Sequence, residues 1–503
     1  MNADHPTFAV VGAVNHGKSS VVSTLAENDE VRISPVPGET TECRRFSLRE
    51  IFSFYDTPGF QNASEALPEL LPAEHAGDPL EVFREFLDRH RGAPEFEAEC
   101  RLFKPIVEGA GLIYVVDGSR PVLELNLAEM RILRLSSQPR LAIINRTSAD
   151  NHVAEWKRRL GQNFNAVREF NAHHATFADR IELLETLAGI EQSWKPKLSS
   201  AVALLREEWT TRLTECAEII VELLVTALRH RETSSAQADL AARRDTVGED
   251  LKARYQAAVS RIEARAHARI IALFGHHLVK AEANAEHLFA DDLFSDETWK
   301  LLGLEVAQLF TLAAMSGAAF GVGLDVLTLG HSFGLFALAG GAVGAGSSLV
   351  IGRQRPELSV NFPRDVTWLP RELRGLLPDK FQIGGRALAV GPYRALNFPW
   401  ILLDRAIGTF CYVINRAHAR RDEVTLRSAS LKDALAAHGL TTAQWNDAAR
   451  KKCEQLFNAI RREKFRPEQR AELRLLLFAR LREISDVRLD FGAASPGNGD
   501  RLG

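Results

Sequence analysis

Residues Gly12-Ala13-Val14-Asn15-His16-Gly17-Lys18-Ser19 constrain this chain more than any other stretch. They read G-x-x-x-x-G-K-S and follow the apolar run Phe8-Ala9-Val10-Val11, the strand–loop–helix setting of a phosphate-binding loop. The glycines let successive backbone N–H groups turn inward around phosphate oxygens. Lys18 is placed to reach the β- and γ-phosphates, and the Ser19 hydroxyl to hold Mg²⁺. Ala13, Val14, Asn15, His16 and Ser20 complete the expected nucleotide contacts of this loop. The helix expected over 19–26 aims the positive end of its dipole at the same point.

The following residues supply the partners such a loop needs. Pro35-Val36-Pro37-Gly38-Glu39-Thr40-Thr41 marks an irregular loop. A threonine there would complete the Mg²⁺ shell and sense the γ-phosphate; Thr41 is the choice and Thr40 the alternative. Two tightly joined strands, 44–48 and 51–55, lead into Asp56-Thr57-Pro58-Gly59. Asp56 can hold Mg²⁺ through a water, and the Gly59 N–H can reach the γ-phosphate. Apolar strands at 111–117 and 141–144, and a last strand near 167–173, alternate with helices at 126–135 and 177–187. That alternation predicts an α/β fold with a mostly parallel sheet covered on both faces, its ligand at the carboxyl ends of the strands. Residues 60–109 form a helical insertion over 65–71, 79–91 and 96–108. Placed directly after the nucleotide sensor, it either moves with nucleotide state or is a rigid elaboration.

These motifs resemble those of the Era/TrmE-like branch of translation-factor-class GTPases, P-loop NTPases with a G domain, over roughly the first 190 residues. The chain is most similar to a bacterial family that joins such a domain to a long C-terminal domain of unknown function. That fuller likeness rests on Gly391-Pro392-Tyr393, Asn397-Phe398-Pro399 and the run from Arg416 to Asp422. The resemblance implies K⁺ bound at Asn15, offsetting charge between the β- and γ-phosphates in place of an arginine finger. It also implies a slow intrinsic hydrolase, because Phe60 stands where other GTPases carry a water-positioning glutamine. His16 would touch the γ-phosphate or the attacking water, or else stand as an exposed loop residue, which is its commoner fate. Lys18, Asn15, Thr41 and Gly59 are the implied catalytic set.

The base-reading motif departs from the family's N-K-x-D. Here it is Asn145-Arg146-Thr147-Ser148. Asn145 can hold the guanine edge and the Arg146 stem can lie over the base. Ser148 replaces the aspartate that accepts two guanine hydrogen bonds, at a cost on the order of 1.5–3 kcal/mol each. Asp150 is the residue that could be recruited instead. Asn171-Ala172-His173 stands where an S-A-K loop contacts the base, with Ala172 the nucleotide-binding position.

From about residue 191 the strand signals stop. Val202, Leu205, Trp209, Leu213, Cys216, Ile220, Leu223 and Ala227 recur at steps of three and four, as do Leu251, Tyr255, Val259, Ile262, Ala266, Ile270 and Leu273. The expected domains are therefore a G domain at 1–190, a long helical hairpin at 191–300, an apolar Gly-rich hairpin at 301–355, a C-terminal helical region at 356–491 and a disordered tail at 492–503. Helices are expected at 400–421, 431–437, 442–465 and 467–489. Within 306–352 only Asp325 carries a formal charge. Two apolar segments there approach the ~20 residues that cross a bilayer, with glycines spaced for close helix approach. The segment either contacts the membrane or is buried in the helical domain.

A net charge of −3 argues against a nucleic-acid partner. Five scattered cysteines without a C-x-x-C pair indicate neither disulfides nor zinc, which fits a reducing compartment. No N-terminal basic segment precedes an apolar run. The expectation is a cytoplasmic GTP/GDP switch, associated with the inner face of the cell membrane if 306–352 contacts lipid, and able to pair as a G-domain homodimer. A ribosome- or RNA-associated assembly factor and a weakly hydrolysing nucleotide scaffold are the alternatives.

Overall fold

The computed structural model describes residues 5–26, 43–48, 51–71, 77–146, 152–172, 175–234, 244–274, 289, 291–315, 360–361, 389–393, 395–415 and 427–485. Thr40, Thr41, Ser148, Asp150, His173, residues 316–352 of the apolar segment, the 416–422 run and the tail lie outside them. The chain divides into two compact units.

The first unit is built on a six-stranded sheet. Its elements in chain order are β1 (Thr7–Val11), α1 (Lys18–Ala26), β2 (Arg44–Leu48), β3 (Phe52–Asp56), α2 (Ala63–Leu70), α3 (Glu81–Arg89), α4 (Glu97–Val107), β4 (Gly111–Asp117), α5 (Glu124–Leu135), β5 (Arg140–Asn145), α6 (Val153–Leu160), β6 (Ala166–Phe170) and α7 (Phe177–Ile190). The strand order is β2-β3-β1-β4-β5-β6, and only β2 pairs antiparallel. β4 is buried along its whole length, as a central parallel strand must be when both faces are covered. Alternate side chains enter two cores. Phe8, Val10, Phe54, Ile113 and Val115 face α1, α7 and the first turns of α8 (Lys195–Arg229). Ala9, Val11, Leu112, Tyr114 and Val116 face α2 to α6. The register places Val10 beside Asp56 and Asp117 beside Asn145, so the strands end along one edge.

The second unit is mainly helical. It takes in the later turns of α8, then α9 (Arg244–Leu273), α10 (Asp296–Leu301), α11 (Val306–Met315), α12 (Phe398–Asn415), α13 (Ser428–Ala437), α14 (Asp447–Arg461) and α15 (Pro467–Ser485). Strand pairing does not end at residue 191: β7 (Glu232–Thr233), β8 (Val360–Asn361) and β9 (Ala389–Val390) form a small antiparallel sheet. Two-residue strands are too short to carry an alternating pattern, so periodicity could not reveal them. The helix expected over 442–465 is divided. A 3-10 turn at Thr442–Gln444 precedes α14, because the Asn446 side chain accepts the Ala449 N–H and starts a new helix.

Two of the C-terminal motifs have clear structural duties. Gly391 has φ +94°, and a Cβ there would lie 2.6 Å from the His230 carbonyl oxygen. Two residues on, the Tyr393 N–H donates to the Tyr255 hydroxyl at 3.1 Å. Asn397 accepts the Leu304 N–H at 2.8 Å, and Asp404 accepts the Gly303 and Thr442 N–H groups at 2.7 and 2.9 Å. A buried salt bridge joins Arg405 to Glu263, with nitrogen–oxygen distances of 2.6 and 3.1 Å. Among the described residues no helix is long and apolar enough to cross a membrane.

Candidate functional site: the phosphate loop and its surroundings

The loop between β1 and α1 closes tightly because its glycines leave room. A Cβ at Gly12 would fall 2.3 Å from the Val115 carbonyl oxygen, and one at Gly17 would fall 2.3 Å from Asn145 Nδ2. Both have positive φ, +140° and +86°. Asn15 also takes a left-handed backbone, with φ 65°, and its side chain is exposed on the rim of the loop.

Lys18 is buried at the centre. Its ammonium group donates to the Ala13 and Gly12 carbonyls at 2.9 and 3.2 Å. Burial lowers its pKa to about 8, against the opposing fields of Asp56 and Glu129. Ser19 Oγ donates to Asp56 Oδ2 at 2.7 Å, so residues 37 positions apart meet. This pair is an all-oxygen donor set, which suits a hard divalent cation such as Mg²⁺.

Gly59 stands against the loop: a Cβ there would lie 2.7 Å from Val14 N. The Phe60 N–H donates to the Gly12 carbonyl at 3.2 Å. The Phe60 ring is buried on the far side, in the cluster that holds Phe83, Phe86, Phe96 and Phe103. Residue 60 thus anchors the insertion to the loop and does not face the phosphate side.

At the opposite end of the site, Asn145 is fully buried. Its Nδ2 donates to the His16 carbonyl at 3.4 Å, and its Oδ1 accepts the Ala172 N–H at 3.2 Å. The Ala172 carbonyl accepts from Thr24 Oγ1 at 3.0 Å, so α1, β5 and the 171–172 turn are tied together. Arg146 is exposed and pairs with Glu169.

His16 is buried, not exposed as a loop histidine commonly is. Burial and the nearby Lys18 cation lower its pKa to about 4, so the ring is neutral at pH 7. The loop folds back over β4, which puts this side chain inside.

Sequence reasoning missed three acidic residues. Asp117 ends β4 and accepts from Ser119 Oγ at 2.6 Å. Glu129 on α5 accepts the Tyr114 hydroxyl at 2.6 Å, and burial raises its pKa to about 7. Glu99 on α4 accepts the Gln61 and Asn62 N–H groups at 2.7 and 2.6 Å. The available signal was an acid on the apolar stripe of a helix. Glu99 precedes Leu102, Phe103 and Ile106, and Glu129 precedes Ile132 and Leu133.

Known proteins share sequence with both parts of the chain. A family model described as a 50S ribosome-binding GTPase matches residues 7–146. A model described as a domain of unknown function (DUF3482) matches residues 157–478. GTPase Der of Prochlorococcus marinus subsp. pastoris is 27% identical over 162 residues, covering 31% of this chain and 30% of that protein. The "Probable GTP-binding protein EngB" of Bacillus cytotoxicus is 36% identical over 67 residues, covering 13% of this chain and 34% of that protein. The chain thus spans about a third of the length of these curated relatives. A crystal structure of Era from Aquifex aeolicus bound to GDP and AlF4⁻ aligns at 17% identity, over 37% of this chain and 57% of that one. Its TM-score of 0.24 is too low to support a structural argument.

Proposed function

The chain belongs to the family defined by the domain of unknown function DUF3482, with a GTPase domain in front of it, and from that premise we propose that it binds GTP with Mg²⁺ and hydrolyses it to GDP as a nucleotide-dependent switch. One observation carries this reading: the Ser19 hydroxyl and the Asp56 carboxylate meet at 2.7 Å beside the buried Lys18 ammonium. Ser19 and Asp56, with Thr41, are the residues that would hold Mg²⁺, which offsets phosphate charge when bound. Lys18 rests on the Gly12 and Ala13 carbonyls, and phosphate oxygens would replace those acceptors. The loop N–H groups from Ala13 to Ser20 would cradle the phosphates, and the Gly59 N–H would donate to the γ-phosphate. Asn145 and Ala172 would shape the base pocket, with the Arg146 stem over the base. Ser148 would leave guanine selectivity weaker than an aspartate would.

The finer parts of the proposal are K⁺ at the exposed Asn15 amide, pairing of G domains, and a helical effector domain whose 306–352 segment contacts the inner membrane face. GTP turnover in K⁺ against Na⁺, with and without anionic liposomes, tests them together with the core claim. Lys18→Ala should abolish turnover; undiminished turnover would remove the phosphate-loop assignment. Equal affinity for GTP and ATP would remove guanine preference. The description of the N-terminal family as ribosome-binding favours a second reading, association with ribosomal particles. It predicts co-sedimentation that weakens as salt rises.

A further inference from the structure

We propose that Glu99 is a positioning residue for the γ-phosphate sensor, and that through it the helical insertion α2–α4 follows nucleotide state. This rests on the reading that Gly59 meets the γ-phosphate. Glu99 lies on the buried stripe of α4, one turn before Leu102 and Phe103, and is itself fully buried. A carboxylate in such a place is costly unless satisfied. Its Oε1 is satisfied by two backbone donors, the N–H groups of Gln61 and Asn62 at 2.7 and 2.6 Å. These groups lie just ahead of α2, where helix amides lack internal partners and favour negative charge. Among the described residues Glu99 Oε2 has no hydrogen-bond partner, so the two N–H groups are what hold this carboxylate. Asn62 Nδ2 adds a bond to the Glu95 carbonyl at 2.6 Å.

On its other side the same segment is pressed to the phosphate loop, through the Phe60 N–H on Gly12 and the packing of Gly59 on Val14. Residues 59–62 are therefore held between loop and insertion without slack. A shift of Gly59 toward a phosphate either carries α4 with it or breaks two hydrogen bonds to a buried carboxylate. The first course conserves the bonds, which makes the insertion an output of the sensor.

The test uses the full chain. Affinities for fluorescent GDP and for a non-hydrolysable fluorescent GTP analogue are measured in wild type, Glu99→Gln and Glu99→Ala, with amide hydrogen exchange followed over residues 81–107. In the wild type, exchange in 81–107 should differ between the GDP and GTP-analogue states. Glu99→Ala should lose that difference and bind the analogue about 10-fold more weakly, with GDP affinity within about 2-fold of wild type. Glu99→Gln retains an acceptor and should recover part of the loss. Equal weakening for both nucleotides would mark Glu99 as purely structural and overturn the proposal. So would wild-type exchange in 81–107 that is indifferent to nucleotide, a result that stands even if Glu99→Ala fails to fold. A wild type that binds neither nucleotide would defeat the GTP reading first, and this proposal with it.

Discussion

Phe60→Gln separates two roles for the residue that follows the Asp56–Gly59 motif. If the side chain of residue 60 lay beside the attacking water, a glutamine would speed hydrolysis. The structure instead puts the Phe60 ring at 2% exposure, 6.3 Å from the Phe103 ring in an edge contact. Losing this burial costs about 1.5–3 kcal/mol. Leaving a glutamine amide unpaired there costs about 1–3 kcal/mol more. The sum, about 2.5–6 kcal/mol, corresponds to a fall in melting temperature of roughly 5–24 °C for a domain of this size. Thermal unfolding of the variant and its steady-state GTP turnover, measured below the unfolding range, read both effects. The expected result is a large loss of stability with turnover no faster than wild type. Faster hydrolysis at undiminished stability would show that residue 60 reaches the reaction and that its buried placement is wrong.

Further outcomes follow from the titratable groups and the second unit. Burial brings the Lys18 pKa down to about 8, so nucleotide affinity should weaken by up to about tenfold per pH unit above that point. Binding titrations from pH 7 to 10 check this, and a flat profile would refute it. His16, at about 4 when folded and 6.5 when unfolded, takes up a proton in the unfolded chain first. Its contribution is complete above pH 6.5 and is lost as the pH falls toward 4, by up to about 3 kcal/mol. Denaturation of His16→Gln across this range should show a flatter acid limb. Arg405→Met would strand the buried Glu263 carboxylate and should destabilise the helical unit by about 3–5 kcal/mol. Adding Glu263→Met should restore most of that stability in urea titrations, and a double variant no better than the single one would count against the pairing.

The parallel sheet was legible because its strands are apolar runs bounded by glycine, asparagine or aspartate, and because burial on both faces removes alternation. β4 and β5 show this most clearly. The phosphate loop and Asp56–Gly59 were legible because local geometry demands those residue types. The inward turn of His16 was not, since it depends on how the loop lies over β4. Nor was the placement of Phe60, which is fixed by phenylalanines 23 to 43 positions later. α6 escaped notice because Val153, Trp156 and Leu160 form only a narrow apolar stripe among charged neighbours. Glu99 and Glu129 share the apolar stripes of their helices, but which groups they meet is set only when those helices dock.

The packing of Trp194 bears on where this chain can be divided. Its indole fills the space above the bare backbone of Gly111, where a Cβ would come within 2.2 Å of the ring, and its edge meets Phe8 at 5.0 Å. Leu198, Ala201, Val202 and Leu205 continue the same seam. A chain ended at Ile190 would open a trough the width of an indole along β1 and β4, under the strand that carries the phosphate loop. The nucleotide-binding half is therefore not a cassette that could be exchanged or released at the end of its last α/β helix. Proteolysis or gene fusion that leaves this core intact must fall beyond Leu205.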